Sequence, residues 1–271
     1  MDTANPGIRP MTPEERLRAL LPHRLELAAV SRLLPADRLP HMACLDVGMP
    51  NPAMSAALRR LGGAWRTVAR SPESAAEASE FLGDASVCCL GADGRIPFPP
   101  HSFDAVVVAL DMLCAVPDAL SFVRECNRIL RPDGLLVLSV QARRPFSLSD
   151  AIRRRIAPAG PHAAVFTENS LYQLLKNGFN VDSIESHSRF FLEQARLRDL
   201  ALEIRGASPD ERAARLRAAY ALARVADALC FWGRRHVLAV SARRRQWSSR
   251  DIPALVDGRS IGEAVIFNPP A

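Results

Sequence analysis

Three apolar runs in this chain end on residues that could do chemistry. The first, Met42-Ala-Cys-Leu-Asp-Val47, breaks into Gly48-Met49-Pro50-Asn51-Pro52. The second ends Val68-Ala69-Arg70 just before Ser71-Pro72-Glu73, and the third, Phe103 to Leu110, runs into Asp111. A fourth position, Ala92-Asp93, precedes Pro97-Phe98. Asp46 can serve a ligand loop or simply form a turn, and Gly48 can admit a close neighbour or turn the chain.

Other chemistries find less support. No Gly-x-Ser-x-Gly elbow offers a nucleophile, and no His/Cys/Asp/Glu spacing suits a metal. Pro50 and Pro52 spoil the glycine fingerprint with which a nicotinamide dehydrogenase cradles phosphate. His101, His162 and His187 could each act as a general base, but a lone histidine near a turn is more often structural. The catalytic residue is therefore unassigned. The six cysteines lack CxxC spacing and read as reduced core residues.

The elements that must position these residues follow from apolar rhythm. Leu17, Leu20, Leu21, Leu25, Ala28 and Leu33 recur at helical spacing, predicting one or two leading helices that cover a sheet edge. Short buried strands are expected at 42–47, 64–69, 87–90, 103–110, 135–140, 179–184 and 236–241, with helices at about 52–61, 71–82, 119–130 and 167–176 between them. Arg131-Pro132-Asp133-Gly134 reads as a turn, and 143–161 as a basic segment punctuated by proline. Leu192 to Cys230 reads as two helices broken at Gly206 to Pro209. Strands and helices alternating in this way predict an α/β doubly wound, Rossmann-like, mostly parallel seven-stranded sheet with leading helices and a helical insertion. The expected division is a helical cap at 1–40, a main domain at 41–245 holding the insertion 192–230, and a tail at 246–271.

The stretch from Ile96 through Asp118, with Pro97-Phe98, Ser102-Phe103-Asp104-Ala105-Val106 and Val116-Pro117-Asp118, closely resembles the small-molecule class I S-adenosylmethionine (SAM)-dependent methyltransferases. So does Arg128-Ile-Leu-Arg-Pro-Asp-Gly-Leu-Leu-Val-Leu-Ser139, and Thr167 to Ile184 is similar to the family's next segment. The resemblance implies SAM as cofactor, a methyl transfer to a small-molecule or sugar- or lipid-linked acceptor, and a cofactor site at Asp46, Gly48, Met49, Ala69, Arg70, Ala92, Asp93, Leu110 and Asp111. Several of these positions depart from the family's pattern. Pro50 and Pro52 stand where glycines are expected, and proline offers no N–H. Ala69 stands where an acid would accept the ribose hydroxyls, and Ala92 where an acid would face adenine, with Asp93 one residue late. Cys114-Ala115 replaces a Glu-His pair. A non-catalytic homologue that binds a partner protein or another ligand is thus the alternative to a working enzyme.

The composition, 48% hydrophobic and 24% charged, is that of an ordinary globular chain. The longest apolar stretch, Ala105 to Val116, is interrupted by Asp111 and falls short of the roughly 20 residues a membrane span needs. With no export pattern at Met1-Asp-Thr-Ala-Asn-Pro6, the expected compartment is the cytoplasm. The net charge of +6 permits an anionic partner, but the arginines are scattered among acids, so nucleic acid is not indicated. Arg153, Arg154 and Arg155 hint at an anionic or sugar-linked acceptor.

Overall fold

The computed structural model describes residues 9–110, 112–142, 147–157, 166–230 and 235–245, with two strand fragments at 255–256 and 259–260. Asp111, His162 and most of the tail lie outside the described residues.

Strands β1 (Ala43–Val47), β2 (Ala64–Ala69), β3 (Cys88–Cys89), β4 (Phe103–Val108), β5 (Leu130–Gln141), β6 (Phe179–His187) and β7 (Val237–Arg244) form one sheet in the order β3-β2-β1-β4-β5-β7-β6. Neighbours pair in parallel from β3 to β5, while β7 runs antiparallel to both β5 and β6. The order reverses between β1 and β4, so the carboxyl ends of those two strands face the crevice where open α/β sheets bind ligands. A separate pair, β8 (Leu255–Val256) and β9 (Arg259–Ser260), is antiparallel.

Both faces of the central strands are covered, which is why β4 and the second half of β5 are almost continuously apolar, whereas the edge strand β6 is mostly polar and part-exposed. One face packs helices α6 (Ala119–Ile129) and α8 (Glu168–Leu175) through Leu45, Val106, Leu136, Phe122, Cys126 and Leu175. The other packs α2 (Leu21–Leu33) and α3 (Pro52–Arg60) through Val30, Cys44, Leu58, Val107 and Val137. Full burial of each such side chain contributes about 1.5–3 kcal/mol. Helix α4 (Pro72–Leu82) completes the second layer beside β2; Ser71 caps it, Pro72 opens it, and Gly83 ends it in the left-handed region.

A further helical layer lies beyond the strands. Helices α1 (Pro13–Ala19), α9 (Phe190–Ile204) and α10 (Pro209–Leu229) share a small core of Leu20, Leu192, Leu216 and Tyr220. Arg16 of α1 bridges Glu77 of α4 and Asp210 of α10, fastening this layer to the sheet's outer helices.

Four expectations are corrected. The second leading helix covers more than a sheet edge; α2 crosses a face over β5 and β7 as well as the edge strand β6. The turn at Arg131 to Gly134 is drawn into β5, with Asp133 at φ 62° absorbing the irregularity and the β4–β5 register shifting between Phe103 and Ala105. Part of the basic segment is helix α7 (Leu148–Ile156), capped by Ser147, whose hydroxyl accepts from Asp150 N–H at 3.1 Å. A one-turn helix, α5 (Met112–Ala115), follows the fourth strand without a sequence signal.

Candidate functional site

The loop after β1 is held by its own chain. Gly48 sits at φ 71°, a left-handed conformation favouring glycine, and its N–H donates to Val68 O at 2.7 Å. A Cβ at Gly48 would fall inside the van der Waals shell of Met112 Sδ and Cγ. Glycine is therefore required here by the fully buried Met112 side chain, which lies directly over it. Pro50 and Pro52 flank Asn51, which caps α3 by accepting from Ala53 N–H at 2.9 Å. Asn51 Nδ2 also donates to Pro13 O at 2.9 Å, tying α1 to the loop.

Asp46 is wholly buried and its carboxylate is consumed internally. Ser55 Oγ donates to Oδ1 and Thr67 Oγ1 to Oδ2, both at 2.9 Å. Burial pushes its pKa up to about 6, against the opposing pull of the Ser55 and Thr67 hydroxyls and the Arg59 charge. Arg59 in turn donates to Thr67 Oγ1 at 3.1 Å and pairs with Asp84 at 2.9 Å. Asp84 is held down to about 2 mainly by the Ser86 hydroxyl and backbone N–H.

The other sequence-predicted positions are apolar or turned away. Ala69 ends β2, buried, with its carbonyl accepting from Leu90 N–H at 2.9 Å. Asp93, one residue past exposed Ala92, folds back onto its own turn, where Oδ1 accepts from Arg95 N–H at 3.0 Å. Met49 is half-buried against the core. Leu110, at the end of β4, donates its N–H to Glu26 Oε1 at 2.6 Å. Glu26, 1% exposed, enters from α2, so a carboxylate of the leading helices seals the end of the fourth strand.

A cleft of about 90 Å³ lies between the strand ends and the helical layer, lined by residues including Pro22, Glu26, Arg70, Leu110, Arg196 and Asp199, and a hollow of only about 20 Å³ is left beside Met49, Pro50, Thr67 and Ala69. The cleft wall carries charges of both signs. Burial raises the pKa of Asp199, which accepts from Tyr220 OH at 3.2 Å and lies 3.5 Å from Arg212 Nη1. Arg153, also in the lining, is paired with the buried Glu193, which accepts from Gln141 Nε2 at 2.9 Å. Arg154 pairs with Asp150 of its own helix. The cluster expected at Arg153 to Arg155 therefore brings one arginine, already neutralised, to the cleft.

Neither His101 nor His187 lines this cleft, whereas His23 does; His162 lies outside the described residues. His101 stands at the opposite edge of the sheet, its Nδ1 within 3.2 Å of Leu130 O. His187 is half-buried with Nδ1 2.9 Å from Ser188 Oγ, and its pKa is pushed down to about 4 by desolvation and by Arg196, Arg32 and Arg235. Among the described residues no group of three metal-ligating side chains comes together, and no helix is long and apolar enough to cross a membrane.

Sequence reasoning missed Glu26, Met112, Arg196 and Asp199. An acid on an otherwise apolar face of the leading helix was the available signal for Glu26. Nothing local marks Asp199, because the fold back of α9 and α10 over the strands brings it in.

Residues 45–138 match the model of a methyltransferase domain family. Among curated proteins, the ubiquinone biosynthesis O-methyltransferase of Xanthomonas campestris is 33% identical over 162 residues. The match takes in 55% of this chain and spans 64% of that relative's length. A SAM-dependent methyltransferase from Aquifex aeolicus superposes with a TM-score of 0.50 at 16% identity, over 87% of this chain and all of that one. A [4+2]-cyclase does so with a TM-score of 0.53 at 16% identity, over 89% of this chain and all of the other. The strand order with its single reversed strand is the fold of these methyltransferase structures, and residues 45–138 within it are similar to the methyltransferase domain family.

Proposed function

We propose that this protein is a methyltransferase homologue that has lost the SAM seat and uses the fold for binding rather than for methyl transfer. The observation that carries this reading is the filled loop after β1: Met112 takes the space that Gly48 leaves, while Asp46 is spent on Ser55 and Thr67. Support comes also from Ala69 and from Asp93 turned onto Arg95 N–H. A cleft of about 90 Å³ is far below the roughly 300–1,000 Å³ of pockets that enclose drug-sized ligands. The residues present do not fit SAM. What the cleft suits is a small polar molecule, met by Arg70 just past β2 and by Arg196 and Asp199 of α9.

The family fold is compatible with such a change, since one structural neighbour sharing this sheet is described as a [4+2]-cyclase. O-methyl transfer to a small acceptor is the second reading, favoured by the identity with the ubiquinone biosynthesis O-methyltransferase.

Calorimetric titration of the folded protein with SAM and with S-adenosylhomocysteine separates the two. The binding reading expects no heat at millimolar ligand; micromolar binding overturns it in favour of the enzyme. Each missing charge-assisted hydrogen bond costs about 1.5–3 kcal/mol, so Ala69→Asp combined with Pro50→Gly should gain affinity only where the seat can still open.

A further inference from the structure

A second concave surface lies outside the family's cofactor region. Between α1 and α10 runs an open cleft of about 520 Å³ lined by Arg9, Pro10, Met11, Arg18, Ala214 and Arg217, with Glu15 also in its wall. Most arginines of this chain that carry a described contact are matched with a carboxylate: Arg16, Arg32, Arg59, Arg128, Arg131, Arg153 and Arg243 each pair with an acid. Arg9, Arg18 and Arg217 are exposed and make no hydrogen bond or ion pair among the described residues. The one acid in the lining, Glu15, already accepts from Thr12 N–H at 2.9 Å as part of the α1 capping box. Part of the chain's excess of six positive charges is thus gathered on a single concavity, where three arginines outnumber one carboxylate.

Concave walls focus the field of like charges, and planar guanidinium groups bind phosphoryl oxygens in bidentate fashion. Ala214 and Ala19 leave the floor between the two helices uncluttered, and Met11 and Pro10 supply an apolar flank for an organic group. We propose that this cleft is a binding site for the diphosphate group of a small soluble compound, held by Arg9, Arg18 and Arg217. Because α1 also ties α4 to α10 through Arg16, an anion gripped from both helices fastens the helical layer to the sheet. This site is separate from the strand-end cleft, and its test does not depend on whether SAM binds.

The test is calorimetric titration of the full chain with inorganic pyrophosphate at low ionic strength, repeated with sulfate at matched ionic strength. Saturable one-to-one binding of pyrophosphate is expected, at least tenfold tighter than sulfate. Arg217→Glu and Arg18→Glu should each weaken it tenfold or more. Arg60→Glu, which makes the same change in net charge on the exposed side of α3 and lines neither cleft, should leave it unchanged. Both Arg217 and Arg18 are exposed, so thermal melts of their variants should match the parent and exclude misfolding. Equal loss in Arg60→Glu, equal affinity for sulfate, or no saturable heat at millimolar pyrophosphate would overturn the proposal.

Discussion

Gly48 shows how a residue typical of a cofactor loop can be retained for another reason. Its left-handed φ of 71° and the Met112 side chain above it both exclude a larger residue. Gly48→Ala is expected to destabilise the protein by about 2–4 kcal/mol, the range of combined backbone strain and overpacking. Shortening the neighbour in Gly48→Ala/Met112→Ala should relieve the steric part, so a denaturant double-mutant cycle should show strong non-additivity. Additive costs would mean that Met112 does not occupy that space.

Asp46 carries a pH signature. Its folded pKa of about 6 lies above the ordinary 3.8, so the native state binds the proton more tightly than the unfolded chain does. The stability from this group is complete below about pH 4 and is lost as the pH rises through about 6. The shift corresponds to something on the order of 3 kcal/mol at one pK unit per 1.36 kcal/mol. Urea melts between pH 4 and 7 should therefore show parent stability falling relative to Asp46→Asn; parallel curves would contradict the buried, internally bonded carboxylate.

Among elements, the strands were the most legible from sequence and the layer above them the least. All seven strands of the sheet overlap the expected segments, most clearly β4 and β5, where burial on both faces leaves a continuous apolar run. The two insertion helices and their break also match, with α9 and α10 separated at 205–208. Helix α7 was hidden by its arginines: Arg153 is 8% exposed only because Glu193, forty residues later, neutralises it. The candidate site was legible only in part. The absences at Ala69, Ala92 and Pro50 can be read residue by residue, but what fills the seat depends on a methionine and a glutamate delivered by other elements.

That buried pair also yields an element-level prediction. Glu193→Leu strands Arg153 and Gln141 Nε2 without their acceptor and should cost about 3–5 kcal/mol. Adding Arg153→Met should recover much of the loss, since an apolar replacement of both partners removes the unpaired charge. Thermal melts of the two variants decide it, and a double variant no better than the single one would refute the pairing.

For the whole molecule, stability is unevenly distributed. The interior strands β1, β4, β5 and β7 hold the largest shared core, whereas α10 leaves Leu222, Val225 and Leu229 more than half exposed. Hydrogen exchange should accordingly find the central strand amides opening only with global unfolding, and α10 opening earlier. Uniform protection across both would show that the helical layer and the sheet unfold as one unit.

The reversed direction of β7 bears on how this protein can be handled. Eight residues at about 3.3 Å each carry the chain roughly 26 Å, from the ligand-facing rim down to the far rim, where Arg245 N–H meets Gly178 O. A dye placed at position 245 is therefore held on the rim away from the strand-end cleft, where it can report on the sheet without obstructing a ligand that enters there.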